Sequence, residues 1–197
     1  LYTYARPAAE KDLEAVKLFA LETDGLSEFR QWDLSYYAEK LKKARFEIDD
    51  ELLKPYFKLE QVIDGVFEVA NKLYGISFKK RADIDKYHPD VITYEVLDKD
   101  GSHLALFYAD FFPRKGKRNG AWMTSYRGQW RENGENKRPH ISIVCNFTKP
   151  TASTPSLLTF REVTTLFHEF GHALHGILAN TTYPSLSGTN VYWDFVE

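Results

Sequence analysis

The sequence predicts an α+β fold dominated by helices, with a small and mainly antiparallel sheet beside one helix that carries a His-Glu-x-x-His pattern. Three observations predict it. The first third of the chain repeats apolar residues at helical spacing, and the middle third switches to alternation between turn signals. Residues 159–178 then return to helical spacing behind an N-terminal capping pattern.

Taken in order, Leu13, Val16, Phe19 and Ala20 form an amphipathic stripe that Gly25 stops, and Asp33 is placed to cap a second helix carrying Tyr37, Leu41 and Ala44. A third helical region runs from about Asp50 through Lys72. It is interrupted near Pro55 and ended by Gly75, with Val62, Val66, Val69 and Leu73 facing inward. Residues 1–78 are therefore expected to form a helical segment, one wall of a cleft, and 79–197 a segment built from the small sheet and the last helix.

Residues 91–97 alternate well enough for a strand, Asp98-Lys99-Asp100-Gly101 reads as a turn, and the aromatic-rich run 103–112 completes a hairpin. Residues 121–126 and 141–147 supply two further strands, and the polar stretch 129–139 between them reads as a mobile excursion. Lys115, Lys117 and Arg118 lack the glycine spacing of a phosphate-binding loop and are expected on a solvated hairpin. His88, His103 and His140 have no ligand-like spacing and read as structural or exposed.

Before the last helix, Thr159 and Glu162 have capping-box spacing, and Val163, Leu166, Phe167, Phe170, Leu174 and Leu178 give it an apolar face; Asn180 and the Pro184 turn end it. His168 and His172 stand one helical turn apart on this element, so both imidazoles can converge on one metal ion. Glu169 lies about 100° round the helix from His168 and about 60° from His172, which aims its carboxylate past the metal toward water. Gly171 costs on the order of 1 kcal/mol in a helix interior, and close approach of another backbone or a ligand is expected there.

A catalytic zinc usually has three protein ligands and an open position. The tenth residue after His168 is Leu178, which excludes the three-histidine metzincin pattern. After His172 the only acids are Asp194 and Glu197. Glu197 is the better candidate, with Asp194 as the N-cap of a short helix that turns Glu197 inward; the competing reading has Glu197 only completing that cap. His175, two turns from His168 on the same face, reads as a hydrogen-bonding neighbour with a supporting role to the metal site.

The run Phe167-His168-Glu169-Phe170-Gly171-His172-Ala173-Leu174-His175-Gly176, with Tyr183 to Asn190 and Asp194-Phe195-Val196-Glu197, resembles the thimet oligopeptidase and neurolysin family of zinc metallopeptidases, nearest its bacterial dipeptidyl carboxypeptidase (peptidyl-dipeptidase) branch. The resemblance extends upstream through 32–38, 87–91 and 106–114, nearly the whole chain. Tyr192-Trp193 departs from the family pattern. The resemblance implies a zincin-like fold, Zn²⁺ held by His168, His172 and Glu197, Glu169 as general base, and oligopeptide substrates. It also implies that Gly120, Ala121 and Trp122 run along the cleft rim, where a substrate backbone adds as a strand; interior packing of Trp122 is the alternative. The groups with which the family stabilises its oxyanion lie beyond the third ligand, so the sequence reads as an excised piece. With Glu197 at its end, a frayed third ligand, weak zinc binding and no activity are expected of this stretch by itself.

Composition is consistent with an ordinary soluble protein. The chain has 197 residues, 43% of them hydrophobic, and a formal charge of −2. No basic field recruits nucleic acid, no apolar run is long enough for a membrane, and a monomer is expected. The single cysteine, Cys145, excludes an internal disulfide and reads as a buried strand thiol in a reducing, cytoplasmic setting. Two rival functions carry weight: a zinc hydrolase with a non-peptide substrate, and a non-catalytic interaction module stabilised by zinc.

Overall fold

The computed structural model describes residues 1–46 and 50–197, which fall into two units, Leu1–Leu52 and Leu53–Glu197. The boundary expected after residue 78 lies inside the second unit, because the helix before it packs on the sheet and shares its core.

In the first unit, helix α1 (Tyr2–Asp24) and helix α2 (Leu34–Phe46) bury Val16, Ala20 and Tyr37 between them. Gly25 ends α1 with φ 68°, a left-handed conformation that glycine adopts without strain. Asp33 does not cap α2 as expected. It closes the short 3₁₀ turn before α2, where its carboxylate accepts the Arg30 backbone N–H at 2.8 Å. A short helix α3 (Asp50–Leu53) and a 3₁₀ turn containing Pro55 follow.

The second unit is a five-stranded mixed sheet with two helices against its core. Helix α4 (Leu59–Tyr74) buries Leu59, Val62, Ile63, Val66 and Ala70 and ends at Gly75, φ 75°. Val69 and Leu73, expected inward, are exposed at 43% and 67%. The buried set is spaced 3, 1, 3 and 4 residues, so the stripe follows Leu59 and Ile63 rather than the later valine and leucine.

The strands are β1 (Ser77–Lys80), β2 (Ile92–Leu97), β3 (His103–Asp110), β4 (Trp122–Arg127) and β7 (His140–Val144), ordered β1-β2-β3-β7-β4. All neighbouring pairs are antiparallel except β3 and β7. β7 enters between β3 and β4 as a central strand. Its run Ile141-Ser142-Ile143-Val144 is buried throughout, as a strand covered on both faces requires. The stretch 129–139 is not an unstructured excursion. It contains a second, two-stranded sheet, β5 (Trp130–Glu132) with β6 (Glu135–Lys137).

Helix α5 (Phe160–Ile177) lies on the same core as α4. Phe67 packs on Phe78 with centroids 4.0 Å apart, and both rings meet Phe170. Tyr87, Tyr108 and Tyr126 form a separate edge-to-face chain of rings. There the Asp110 carboxylate accepts a bidentate pair from Arg114 at 2.7 and 2.8 Å, one bond from Lys117 at 2.9 Å and one from the Tyr87 hydroxyl at 2.9 Å. The Lys117 side chain is only 3% exposed. The loop expected to be solvated therefore sends its central cation inward, where it neutralises a buried carboxylate. Cys145 is fully buried as expected, and burial pushes its thiol up to about 12. Among the described residues no helix is long and apolar enough to cross a membrane.

Candidate metal centre

Three elements build the site: α5, the edge strand β4, and the return segment that carries the chain from α5 to a short terminal helix α6 (Trp193–Val196). The start of α5 is fixed as the sequence predicts. Thr159 Oγ1 accepts the Glu162 N–H at 3.1 Å, and the Glu162 carboxylate accepts the Thr159 N–H at 2.8 Å. Val163, Leu166, Phe170, Ala173 and Ile177 anchor the helix in the core, whereas Phe167 is 40% exposed. α5 ends at Ile177, earlier than Asn180.

With that face buried, His168 and His172 project together on another. Their Nε2 atoms are 3.0 Å apart, and the Glu197 carboxylate oxygens stand 3.5 Å from His168 Nε2 and 3.6 Å from His172 Nε2. A tetrahedral ion with bonds of about 2.0–2.2 Å separates its ligand atoms by about 3.3–3.6 Å, which the two Glu197 distances match and the two imidazoles, at 3.0 Å, approach to within about 0.3 Å. Two imidazoles and one carboxylate are also the donor set of catalytic zinc sites that keep a fourth position open. Glu197 therefore stands beside the two histidines, in place of the displaced carboxylate expected of it. His172 is the more enclosed ligand candidate, with its side chain 14% exposed against 54% for His168.

Glu169 is 8% exposed and lies beside this group. Burial raises its carboxyl above the ordinary carboxylate value. His168 and His172 oppose that shift, Glu197 reinforces it, and the Met123 backbone amide opposes it again. Ala121, Trp122 and Met123 line the same cavity of about 220 Å³ as His168, Glu169, His172 and Glu197. Gly120, just before β4, has φ 92° and its carbonyl accepts from Asn146 Nδ2. Trp122 is half-buried, with the Arg118 guanidinium 5.4 Å from its ring centroid, so it is not the core residue of the alternative reading. β4 ends the strand order, and among the described residues no strand pairs with its outer side. A second cavity of about 420 Å³ runs on from the first, sharing Met123 and Thr189.

The remaining site candidates lie differently from expectation. His175 makes no ligand-like approach; its ring meets Phe195 edge-on, centroids 6.2 Å apart. Asp194 does not cap α6. The N-cap is Tyr192, and Asp194 sits exposed in the first turn. At Gly171 an added Cβ would meet nothing within 4 Å, so no close approach explains it. The close approach is five residues on: a Cβ on Gly176 would fall 2.7 Å from Ile141 Cδ1, and one on Gly188 3.2 Å from Gly176 Cα.

Sequence reasoning missed Gln129, which is wholly buried. Its Oε1 accepts the Thr181 N–H at 2.7 Å, and its Nε2 donates to the Thr181 carbonyl at 3.0 Å and to Asn136 Oδ1 at 2.8 Å. A glutamine in a polar stretch gives no sequence signal for such a role. It becomes visible only when residues 129 and 181 meet.

Fold and site together define a peptidase-like centre: a His-Glu-x-x-His helix, a distant glutamate and a free strand edge around one cavity. Peptidase family M3 matches residues 1–197, and the chain belongs to that family. It is 46% identical to the dipeptidyl carboxypeptidase of Escherichia coli (strain K12) over 98% of its own length and 28% of that protein's. Against oligopeptidase A of the same organism the identity is 43%, covering 98% and 29%. Against the dipeptidyl carboxypeptidase of Salmonella typhimurium it is 50%, covering 84% and 24%. The chain thus spans less than a third of the length of these relatives.

Proposed function

We propose that this chain carries the metal centre and part of the substrate cleft of a zinc-dependent peptidase acting on oligopeptides. The observation that carries the reading is the meeting of His168, His172 and Glu197 at 3.0–3.6 Å beside the buried Glu169 and the free edge of β4. Family membership and the peptidase names of the relatives support a peptide over another scissile bond. His168, His172 and Glu197 hold the ion. When bound, zinc supplies Lewis acidity that makes water a stronger acid near neutral pH and polarises a carbonyl.

The protein's own groups do the rest. Glu169 takes a proton from the attacking water and returns it to the leaving amine, so no covalent intermediate is required. Its buried position suits this role, because a carboxylate whose pKa is raised above the ordinary value is the stronger base. The outer edge of β4 offers backbone N–H and C=O groups to a substrate laid alongside Ala121–Met123, which holds an extended peptide across the cavity. A cytoplasmic location is supported by the buried, unpaired Cys145 and by the name of one relative, a probable cytosolic oligopeptidase A of Arabidopsis thaliana.

Glu169→Gln tests the assignment. In the full-length protein it should keep one zinc per chain while turnover of a blocked oligopeptide falls at least about a hundredfold. Near-normal turnover with the metal retained removes Glu169 from the chemistry.

A further inference from the structure

Two of the three metal donors share one helix, while the third arrives on a separate arm of twenty residues after Ile177. Glu197 directly follows the short helix α6 (Trp193–Val196) as its C-cap. The arm is pinned upstream. Gln129 closes on Thr181 from both sides, accepting from its N–H and hydroxyl (2.7 and 3.2 Å) and donating to its carbonyl (3.0 Å), while a second donation to Asn136 ties the same side chain to β6. The Arg131 N–H donates to the Thr182 carbonyl at 3.2 Å, and its guanidinium to Asn180 Oδ1 at 2.8 Å. Further along, Gly188 at φ 58° packs against α5, where an added Cβ would fall 3.2 Å from Gly176 Cα, tighter than ordinary contact.

We propose that Gln129 is a positioning residue for Glu197: the β5–β6 hairpin clasps the arm through it and so sets the effective concentration of the third ligand at the two histidines. The inference rests on the reading that His168, His172 and Glu197 hold zinc. A side chain with no access to the metal thereby governs metal affinity through a segment some fifteen residues upstream of the ligand. The logic is that of a tethered second binding event, whose strength depends on how well the tether holds the geometry.

A double-mutant cycle on zinc affinity, read by competition with a chelator, tests this, with Co²⁺ visible spectra reporting the ligand set. Gln129→Leu keeps the volume and deletes every side-chain bond that Gln129 makes to Thr181 and Asn136, leaving those of Arg131 in place. It should weaken zinc about 10–100-fold, the usual cost of losing a group that orients a ligand. The Co²⁺ spectrum should move toward that of Glu197→Ala. In the Glu197→Ala background the same substitution should change affinity by less than about twofold, because nothing remains to be positioned. Equal losses in both backgrounds would mean that Gln129 acts only through general stability, and no loss in either would mean that the clasp is irrelevant; both overturn the proposal. If Gln129→Leu loses its circular dichroism signature, Gly188→Ala replaces it in the same cycle and must show the same coupling. Unchanged affinity in Glu197→Ala alone would instead refute the ligand assignment on which the inference rests.

Discussion

Glu169 and Asp110 are both buried acids, and their surroundings send them in opposite directions. Glu169 is raised chiefly by burial, in the direction that suits the general-base role proposed for it. At Asp110 burial is again the largest single influence and pushes upward, but the bonds from Arg114, Lys117 and Tyr87 together outweigh it and hold the carboxyl below its ordinary value. A folded-state value below the unfolded one stabilises the fold above the unfolded value near pH 4. That stabilisation is lost as pH falls through the folded value. His140 is also lowered, by burial first and then by Arg127 and His103; its contribution is complete above about pH 6.5 and declines as acid protonates the unfolded chain. Urea-unfolding midpoints should therefore fall gently below about pH 6.5 and more steeply below about pH 4. Asp110→Asn should make the steeper phase shallower, the ion-paired carboxylates such as Asp90 and Glu95 supplying the rest, and cost about 3–5 kcal/mol at pH 7, since it leaves Arg114 and Lys117 without their shared carboxylate. An unchanged acid limb in that variant would show that the network contributes little.

At the scale of elements, α5 is the part most legible in the sequence, because its signals are local. Thr159 and Glu162 mark its start, its histidines lie one turn apart, and its apolar spacing selects the buried face. Thr159→Ala should lower stability by about 1 kcal/mol and the melting temperature by about 2–4 °C, with zinc content unchanged. Loss of zinc in that variant would mean that the cap also sets the ligand geometry. The four longer strands were legible from alternation and turn residues. β1 was not, since Ser77-Phe78-Lys79-Lys80 is a short polar edge with one inward aromatic. The β5–β6 hairpin was hidden for a different reason. Apart from Trp130 its sequence is polar, and Gln129, just before it, meets a segment some fifty residues away. The parallel pairing of β3 with β7 was likewise invisible, because no local pattern tells a strand which neighbour it will enter between. The stripe of α4 was misphased because Val69 and Leu73 are as apolar as the Ile63 and Ala70 that the sheet buries.

For the whole molecule, the candidate site lies entirely within Leu53–Glu197, where β4 forms one rim, α5 the floor and the clasped arm the far side. The two histidines proposed as ligands stand in one contiguous motif, and Glu197 was also named from the sequence, whereas the contacts that support its arm join distant parts of the chain and gave no sequence signal. The central claim is that His168, His172 and Glu197 hold one zinc ion with Glu169 left free. Anomalous diffraction at the zinc edge from crystals of the zinc-loaded protein tests it most directly. A single zinc peak should lie about 2.0–2.2 Å from Nε2 of His168, Nε2 of His172 and a carboxylate oxygen of Glu197, with Glu169 outside bonding distance. A peak elsewhere, a fourth protein ligand closing the site, or Glu169 bound to the metal would contradict it.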